Sequence, residues 1–345
     1  MDGWLGVLSA TLGVFGVVGI GAFLRRRNWL TEAADASLLR IVVNVFVPCL
    51  ILRSIVGNPA LDQANNVWLP PIVGFGTTVL SLAVCGTVAW WLGPKIGLHS
   101  PAARRTFALA VGLHNYGYLP IPLVESLYGQ SAPTLGVLFV NNVGVEFALW
   151  TIGIMVVSGS VGWSGLRRVI NAPSIAVVTA LALHFTDAKS WFPEANDLIR
   201  NVIGWLANCA VPVALLLIGA SMTDELSGLR KSSGEKSREG GGLGKMMAVG
   251  CGLRLGVLPL MFLGLAVGLG ASGLIGNWMP GDGASIELRR VLILHAAMPS
   301  AIFPILISRH FGGHPSTATL IALSTSAVSL VTMPIWLAVG RTLVP

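Results

Sequence analysis

Charged residues are scarce in this chain of 345 residues, at 11% of all positions. An average soluble domain carries about 25% charged residues. Hydrophobic residues make up 54% of the chain, and the mean hydropathy is +0.76. The charges that remain cluster between apolar stretches of about 20 residues, the length that crosses a bilayer as a helix. The composition therefore excludes an ordinary soluble protein and predicts a multi-pass protein whose surroundings are the lipid bilayer.

Cysteine is also sparse, with four residues in the chain. All four lie inside apolar stretches and show no paired spacing, which is typical of small buried residues. They are Cys49, Cys85, Cys209 and Cys251. This pattern excludes a disulfide framework and a cysteine metal site, and we expect neither a metal ion nor a cofactor.

Ten apolar segments are long enough to be considered membrane helices, although the sixth is short. Backbone groups cannot stay unpaired in lipid, and the segments show no period of two, so the sequence favours a helical bundle over a β-barrel. Asp2 and the lack of a basic residue before the first segment indicate a retained helix rather than a cleaved signal peptide. The segments are 3–24, 36–57, 67–93, 106–128, 134–158, 173–186, 197–223, 243–271, 287–309 and 315–340.

Basic residues are distributed unevenly between the connections, and the formal net charge is +7. Fourteen lysines and arginines follow odd-numbered segments, whereas five follow even-numbered segments or the last one. The positive-inside rule then places the odd-numbered connections in the cytoplasm and both termini outside it. The stretch 224–245 is rich in Gly, Ser and charge and is predicted to be a flexible cytoplasmic loop. The excess charge is thus explained by topology, and we expect no nucleic-acid partner.

Two pairs of similar motifs indicate an internal repeat. The second and seventh segments both contain Asn-x-x-x-Pro, at Asn44–Pro48 and Asn208–Pro212. The fourth and ninth both contain Leu-His followed by prolines, in 113–122 and 294–304. Because the offset of five helices is odd, the two halves must be inverted in the membrane. We predict an all-α protein of two inverted five-helix repeats, 1–160 and 161–345.

The prolines of the fourth and ninth segments are expected to break both helices near mid-membrane, because proline lacks a backbone donor and clashes with the preceding turn. Each break creates a half-helix N-terminus with partial positive charge, which suits an anion such as a carboxylate. The alternative is that these prolines only shape packing. The candidate substrate-binding residues are His114, Asn115, Pro120, Ile121, Pro122, His295, Pro299, Ser300, Asn44 and Asn208.

Two acidic residues, Glu125 and Glu146, lie inside predicted helices, where ionisable groups are functional candidates. Glu146, with Asn142 one turn before it, is the candidate for coupling transport to H⁺ or Na⁺. Glu125 is a second candidate, with the alternatives that it faces water or pairs with Arg53. His114 and His295 could carry protons or simply form hydrogen bonds.

The motif Asn-x-Gly-x-x-Pro at 115–120 resembles the auxin efflux carrier family, as do 210–220, 296–299 and 323–334. The resemblance covers nearly the whole chain. It implies a ten-helix fold shared with bile-acid sodium symporters, in which helices four and nine cross. It also implies that helices one, two and five pack together with their mates, and that small organic anions are carried by an elevator-like motion. Asn115 would contact the substrate, whereas Ala296 stands at the equivalent position of the second half.

Two other functions are compatible with a chain of this composition. A channel for small solutes is the main alternative, since some channels also contain inverted halves. An intramembrane serine protease is a remote one, because the Gly-x-Ser-Gly at 162–165 lies in a basic loop without a histidine placed to activate it. We therefore expect a secondary active transporter of the cell membrane and not an enzyme. The sequence leaves a homodimer open.

Overall fold

The computed structural model describes residues 4–129, 132–160, 166–186, 193–233, 240–270 and 285–344. In these ranges the chain forms twelve helices, joined by short connections and 3₁₀ turns, and no strand. The helices are α1 (Trp4–Arg26), α2 (Glu32–Ile55), α3 (Asn65–Leu92), α4 (Pro101–Gly112), α5 (Pro120–Tyr128), α6 (Pro133–Ser158), α7 (Ala172–Phe185), α8 (Pro193–Ser233), α9 (Gly242–Gly268), α10 (Ile286–Ala297), α11 (Phe303–His310) and α12 (Pro315–Leu343).

Seven of these helices are long and apolar enough to cross a membrane, namely α1, α2, α3, α6, α8, α9 and α12. Large apolar side chains cover their outer faces, and Trp90, Trp91 and Trp205 are among the most exposed. Such a surface is unfavourable in water and is the one that a lipid bilayer accommodates. The prediction of an all-α, multi-pass membrane protein is confirmed.

The predicted fourth and ninth segments are each interrupted, as their prolines suggested. Between α4 and α5 the helix is absent from Leu113 to Leu119, and between α10 and α11 it is absent from Met298 to Ile302. Pro120 is the first residue of α5, where its missing N–H has no helical partner to lose. The chain therefore restarts a helix at the positions that tolerate proline best.

The helices pack in two groups. In one, α1 packs against α8, and α2 packs against α7 and α8. In the other, α3 packs against α4 and α6, while α9 and α12 pack against α10. The fifth predicted segment, α6, packs mainly on α3, and 78% of its most apolar window is buried. The grouping of this segment with helices one and two is therefore wrong.

The predicted loop 224–245 is shorter than expected. Helix α8 continues to Ser233, and a helix has begun again at Gly240, while residues 234–239 lie outside the described ranges. Asp224 pairs with Arg25 at 3.2 Å and Glu225 pairs with Arg309 at 3.0 Å. These ion pairs give both acidic side chains of α8 a cationic partner. The helix therefore continues through this polar stretch.

Helices α1 and α8 approach so closely that only glycine fits at their contact. A Cβ atom added to Gly219 would overlap the carbonyl oxygen of Val18, and one added to Gly21 would overlap the carbonyl oxygen of Leu216. Small residues at such contacts allow helix backbones to pack tightly in membranes. The α1–α8 contact therefore depends on these two glycines.

We expect Gly219→Val to lower the apparent melting temperature of the purified protein in detergent. Overpacking typically costs about 1–3 kcal/mol, and an obstacle made of backbone favours the upper end of that range. Gly204→Val in the same helix is the control, since a Cβ there meets nothing within 4 Å. Equal melting temperatures for the two variants would contradict the proposed packing.

Candidate functional site

The two breaks cross and pair with each other through their backbones. The N–H of Asn115 donates to the carbonyl of Pro299 at 2.8 Å, and the N–H of Ala301 donates to the carbonyl of Leu113 at 2.9 Å. His114 and Ser300 therefore form an isolated antiparallel bridge. Backbone groups in a membrane interior must find partners, and non-helical backbone is tolerated there only where protein encloses it or a cavity is present. Each break thus supplies the partners that the other lacks.

Side chains form hydrogen bonds with further backbone groups of the two breaks. The Asn115 side chain accepts a hydrogen bond from the N–H of Leu119 at 3.4 Å, and Asn142 of α6 donates to the carbonyl of Tyr116 at 2.8 Å. On the other break, Thr325 of α12 accepts from the N–H of Ser300 at 3.2 Å. Asn115 and Asn142 therefore both lie at the crossing, although the sequence assigned Asn115 to substrate binding and Asn142 to ion coupling.

Two histidines meet at the crossing, one from each half of the chain. The ring centroids of His114 and His295 are 4.2 Å apart, and both side chains are fully buried. None of their four ring nitrogens has a hydrogen-bond partner in the described part of the chain. The same holds for the hydroxyl of Ser300 and the side-chain oxygen of Asn142. Since buried polar atoms are normally hydrogen-bonded, such a concentration marks a functional region rather than ordinary packing.

Arg254 is a functional candidate that the sequence reasoning missed. Its side chain is fully buried, and it donates to the carbonyls of Met298 at 3.1 Å and His295 at 3.0 Å. These carbonyls end α10, where the helix dipole is negative and the last oxygens lack helical partners. A π-helical turn, Leu253–Val257, carries Arg254 within α9, and such turns are frequent at functional sites.

A cavity of about 410 Å³ lies between α1, α5 and α8. Its volume is within the range of small-molecule sites. Pro122 and Ser126 of α5 and Pro212 of α8 contribute to its wall. The remaining lining residues are Gly6, Ser9, Ala10, Gly13, Val14, Val17, Val211 and Leu215. Pro120, Ile121 and Pro122 are themselves buried in the first turn of α5.

Glu125 pairs with Arg53, which is one of the alternatives that the sequence left open. A guanidinium nitrogen of Arg53 lies 3.1 Å from the Glu125 carboxylate, and a second nitrogen lies 2.5 Å from the side-chain oxygen of Asn208. Arg53 therefore joins three helices, because it lies on α2, Glu125 on α5 and Asn208 on α8.

The side chains of two predicted residues, Glu146 and Asn44, form their hydrogen bonds away from the crossing. Glu146 accepts hydrogen bonds from Asn171 at 2.6 Å and Ser174 at 3.4 Å at the start of α7, so its partners differ from those of Asn142. Asn44 is exposed and donates to the carbonyl of Arg40 one turn earlier in α2. Asn44 therefore has a partner within its own helix, and its role as a substrate contact stays a prediction.

Two further sequence features concern metal ligands and the protease motif. Among the described residues, no group of three or more His, Cys, Asp or Glu side chains could hold a metal ion. The Gly-x-Ser-Gly motif at 162–165 lies outside the described residues.

Comparison with known proteins identifies the class of this chain. A family described as "Membrane transport protein" matches residues 7–162 and 160–337. An "Uncharacterized transporter" of Methanothermobacter thermautotrophicus is 24% identical over 96% of this chain and 98% of its own length. The "Uncharacterized transporter YfdV" of Escherichia coli is 26% identical over 93% of this chain and 94% of its own length.

Apolar membrane-crossing helices, interrupted helices that cross, and these similarities together define a multi-pass membrane transport protein. The chain belongs to the membrane transport protein family, which is the auxin efflux carrier family that its motifs resemble. The family is one of transporters and not of enzymes, in agreement with the sequence prediction.

We expect Arg254→Met to lower the apparent melting temperature of the purified protein, because the carbonyls of Met298 and His295 lose the hydrogen bonds from the guanidinium. The carbonyl of His295 keeps the bond from the N–H of Met298 at 3.4 Å. An unpaired buried acceptor costs about 1–3 kcal/mol. The melting temperature of Arg254→Lys should lie between those of Arg254→Met and the unaltered protein, since one ammonium cannot reproduce the fork of a guanidinium. Lys245→Met removes an exposed charge from the same helix and is the control. If Arg254→Met and Lys245→Met have the same melting temperature, the role of Arg254 at the end of α10 is wrong.

Proposed function

We propose that this protein is a secondary active transporter that moves small organic anions, such as carboxylates, across the cell membrane by alternating access. The observation that carries the proposal is the antiparallel bridge between the two breaks. It joins the two breaks inside the bundle, and each break is followed by the N-terminus of a half-helix, α5 or α11. The substrate would bind beside this crossing, within reach of the cavity at α5.

The electrostatics of the crossing favour an anion. A helix N-terminus presents free N–H groups and partial positive charge, whereas a C-terminus presents the opposite. The C-termini of α4 and α10 also end at the crossing, but the guanidinium of Arg254 offsets that of α10. Positive ends facing a carboxylate are a recurrent solution in transporters with broken helices.

An inverted ten-helix arrangement is part of the proposal. Seven continuous membrane-length helices, the pairs α4–α5 and α10–α11, and the shorter apolar helix α7 together make ten segments. This count supports the proposed repeats within 1–160 and 161–345. The proposed orientation, with both termini outside the cytoplasm, rests on the distribution of basic residues in the sequence.

The coupling ion stays a prediction, as do Glu146 and Glu125 as its ligands. Arg53 already holds the carboxylate of Glu125, and Asn171 holds that of Glu146. Neither contact favours H⁺ over Na⁺. A homodimer likewise stays a prediction of the sequence.

Counterflow in proteoliposomes tests the transporter. Vesicles preloaded with one carboxylate should accumulate the same labelled carboxylate from outside, because an alternating-access protein exchanges substrate across its two open states. A panel of acetate, malonate, malate and indole-3-acetate covers mono- and dicarboxylates. A channel would show flux without trans-stimulation. Absence of exchange for every anion in the panel would count against the proposed substrate class.

We expect Pro120→Ala and Pro299→Ala to lower the exchange rate at least about tenfold while the protein still inserts and purifies as a monodisperse species. Alanine restores a backbone N–H and removes the clash with the preceding turn, so a helix can extend into the break. The broken-helix site is wrong if both variants exchange substrate at the normal rate. Pro259→Ala serves as a control, because this proline lies in the continuous helix α9.

A further inference from the structure

We propose that Arg53 binds the carboxylate of the transported anion, and that Glu125 takes the place of this carboxylate while the cavity is empty. The inference rests on the proposed function and names the residue that recognises the substrate. It concerns the cavity between α1, α5 and α8, which lies on one side of the crossing.

The guanidinium of Arg53 connects a broken helix to α2 and α8. It pairs with Glu125 of the broken helix at 3.1 Å and donates to Asn208 of α8 at 2.5 Å. The side chains of Arg53 and Glu125 are 26% and 19% exposed, so both are sheltered but not sealed. An ion pair in this position can be reached by a competing anion, whereas a fully buried pair cannot.

Both partners of Arg53 share a helix face with a residue of the cavity wall. Glu125 follows Pro122 by three residues in α5, and Asn208 precedes Val211 and Pro212 by three and four residues in α8. Residues at these spacings are neighbours on one face of a helix. The guanidinium that joins Glu125 to Asn208 therefore lies about one helical turn from the cavity wall.

The cavity wall itself supplies no charge. Its eleven lining residues among the described part of the chain are apolar or glycine, apart from the hydroxyls of Ser9 and Ser126. A small organic anion can place its apolar part against this wall, but its carboxylate needs a cationic partner. Arg53 offers a planar, always charged fork that matches a carboxylate through two hydrogen bonds.

Exchange of one carboxylate for another lowers the free-energy cost of binding the substrate at Arg53. Separating a sheltered ion pair without replacement leaves an uncompensated charge, which is strongly unfavourable. A substrate carboxylate that displaces Glu125 keeps the guanidinium paired, and the displaced Glu125 carboxylate must then reach water. The exchange also detaches α5 from α2, so substrate binding releases one contact between a broken helix and α2.

A second ion pair shows why Arg53 is the better candidate. Arg309 of α11 pairs with Glu225 of α8, but its side chain is 57% exposed. Exposed pairs contribute little and are screened by salt. In addition, Asn208 and Glu225 are 17 residues apart in α8, which corresponds to about 25 Å of helix. The Arg309 pair therefore lies at the other end of α8, away from the cavity at Pro212.

Counterflow kinetics of four variants test the inference, with the panel carboxylate that the unaltered protein exchanges fastest. We expect Arg53→Gln to raise KM at least about tenfold, because hydrogen bonds to a charged group are lost. Glu125→Gln should instead lower KM about threefold or more, since the guanidinium loses its competing carboxylate. Arg53→Gln combined with Glu125→Gln should keep the high KM of the first variant. Arg40→Gln removes the same charge from an exposed position of α2 and should leave KM unchanged.

A purely structural ion pair predicts a different pattern. Both single variants would then raise KM or reduce the yield of folded protein, and the double variant would recover towards the unaltered protein. That pattern, or an unchanged KM in Arg53→Gln, overturns the role of Arg53 while leaving the transporter intact. If the unaltered protein exchanges no carboxylate of the panel, the proposed substrate class fails first, and the two failures are thereby distinguished.

Discussion

The structure depends on one constraint, which is that backbone hydrogen-bonding groups cannot be left unpaired inside a bilayer. A helix broken in mid-membrane violates this constraint unless its freed groups find partners. Here two breaks solve the problem jointly, through the hydrogen bonds from Asn115 to Pro299 and from Ala301 to Leu113. Neither break is tolerable alone, so the positions of α4, α5, α10 and α11 are fixed with respect to one another. The helices that surround them provide the few additional partners, from Asn142, Thr325 and Arg254.

The same arrangement concentrates unpaired polar atoms in a region where they are expensive. Among the described residues, the ring nitrogens of His114 and His295 have no hydrogen-bond partner, and Arg254 donates to carbonyls at the end of α10 rather than to a carboxylate. A bundle selected only for stability would place apolar side chains here. Polar groups kept at such cost indicate selection for what happens at the crossing, which agrees with membership of a transporter family.

Much of this architecture was predictable from the sequence, because proline and apolar length act locally. The interruptions at 113–119 and 298–302 fall within the predicted broken helices, and the Arg53–Glu125 pair was among the alternatives. The partners of Glu146 and the extent of α8 were not predictable, since they depend on Asn171, Arg25 and Arg309 from distant parts of the chain. Arg254 could have been found. Nineteen of the 22 lysines and arginines lie between predicted segments, after the last one, or within four residues of a segment end, and the three that remain are Arg40, Arg53 and Arg254.

These three arginines show how position decides the role of a charge in a membrane protein. Arg40 is exposed on α2, Arg254 is enclosed and holds the end of a helix, and Arg53 lies between these extremes. On the proposed alternating-access mechanism, the bridge would tie the two broken helices together, and they would move as one body against α1, α2 and α8. Contacts within that body would then stay unchanged during the motion. A contact between the body and its surroundings can respond, and Arg53 with Glu125 is the sheltered ion pair at that boundary. On the proposed mechanism, the crossing therefore keeps the two broken helices rigid, whereas the Arg53–Glu125 pair at the boundary responds to the anion.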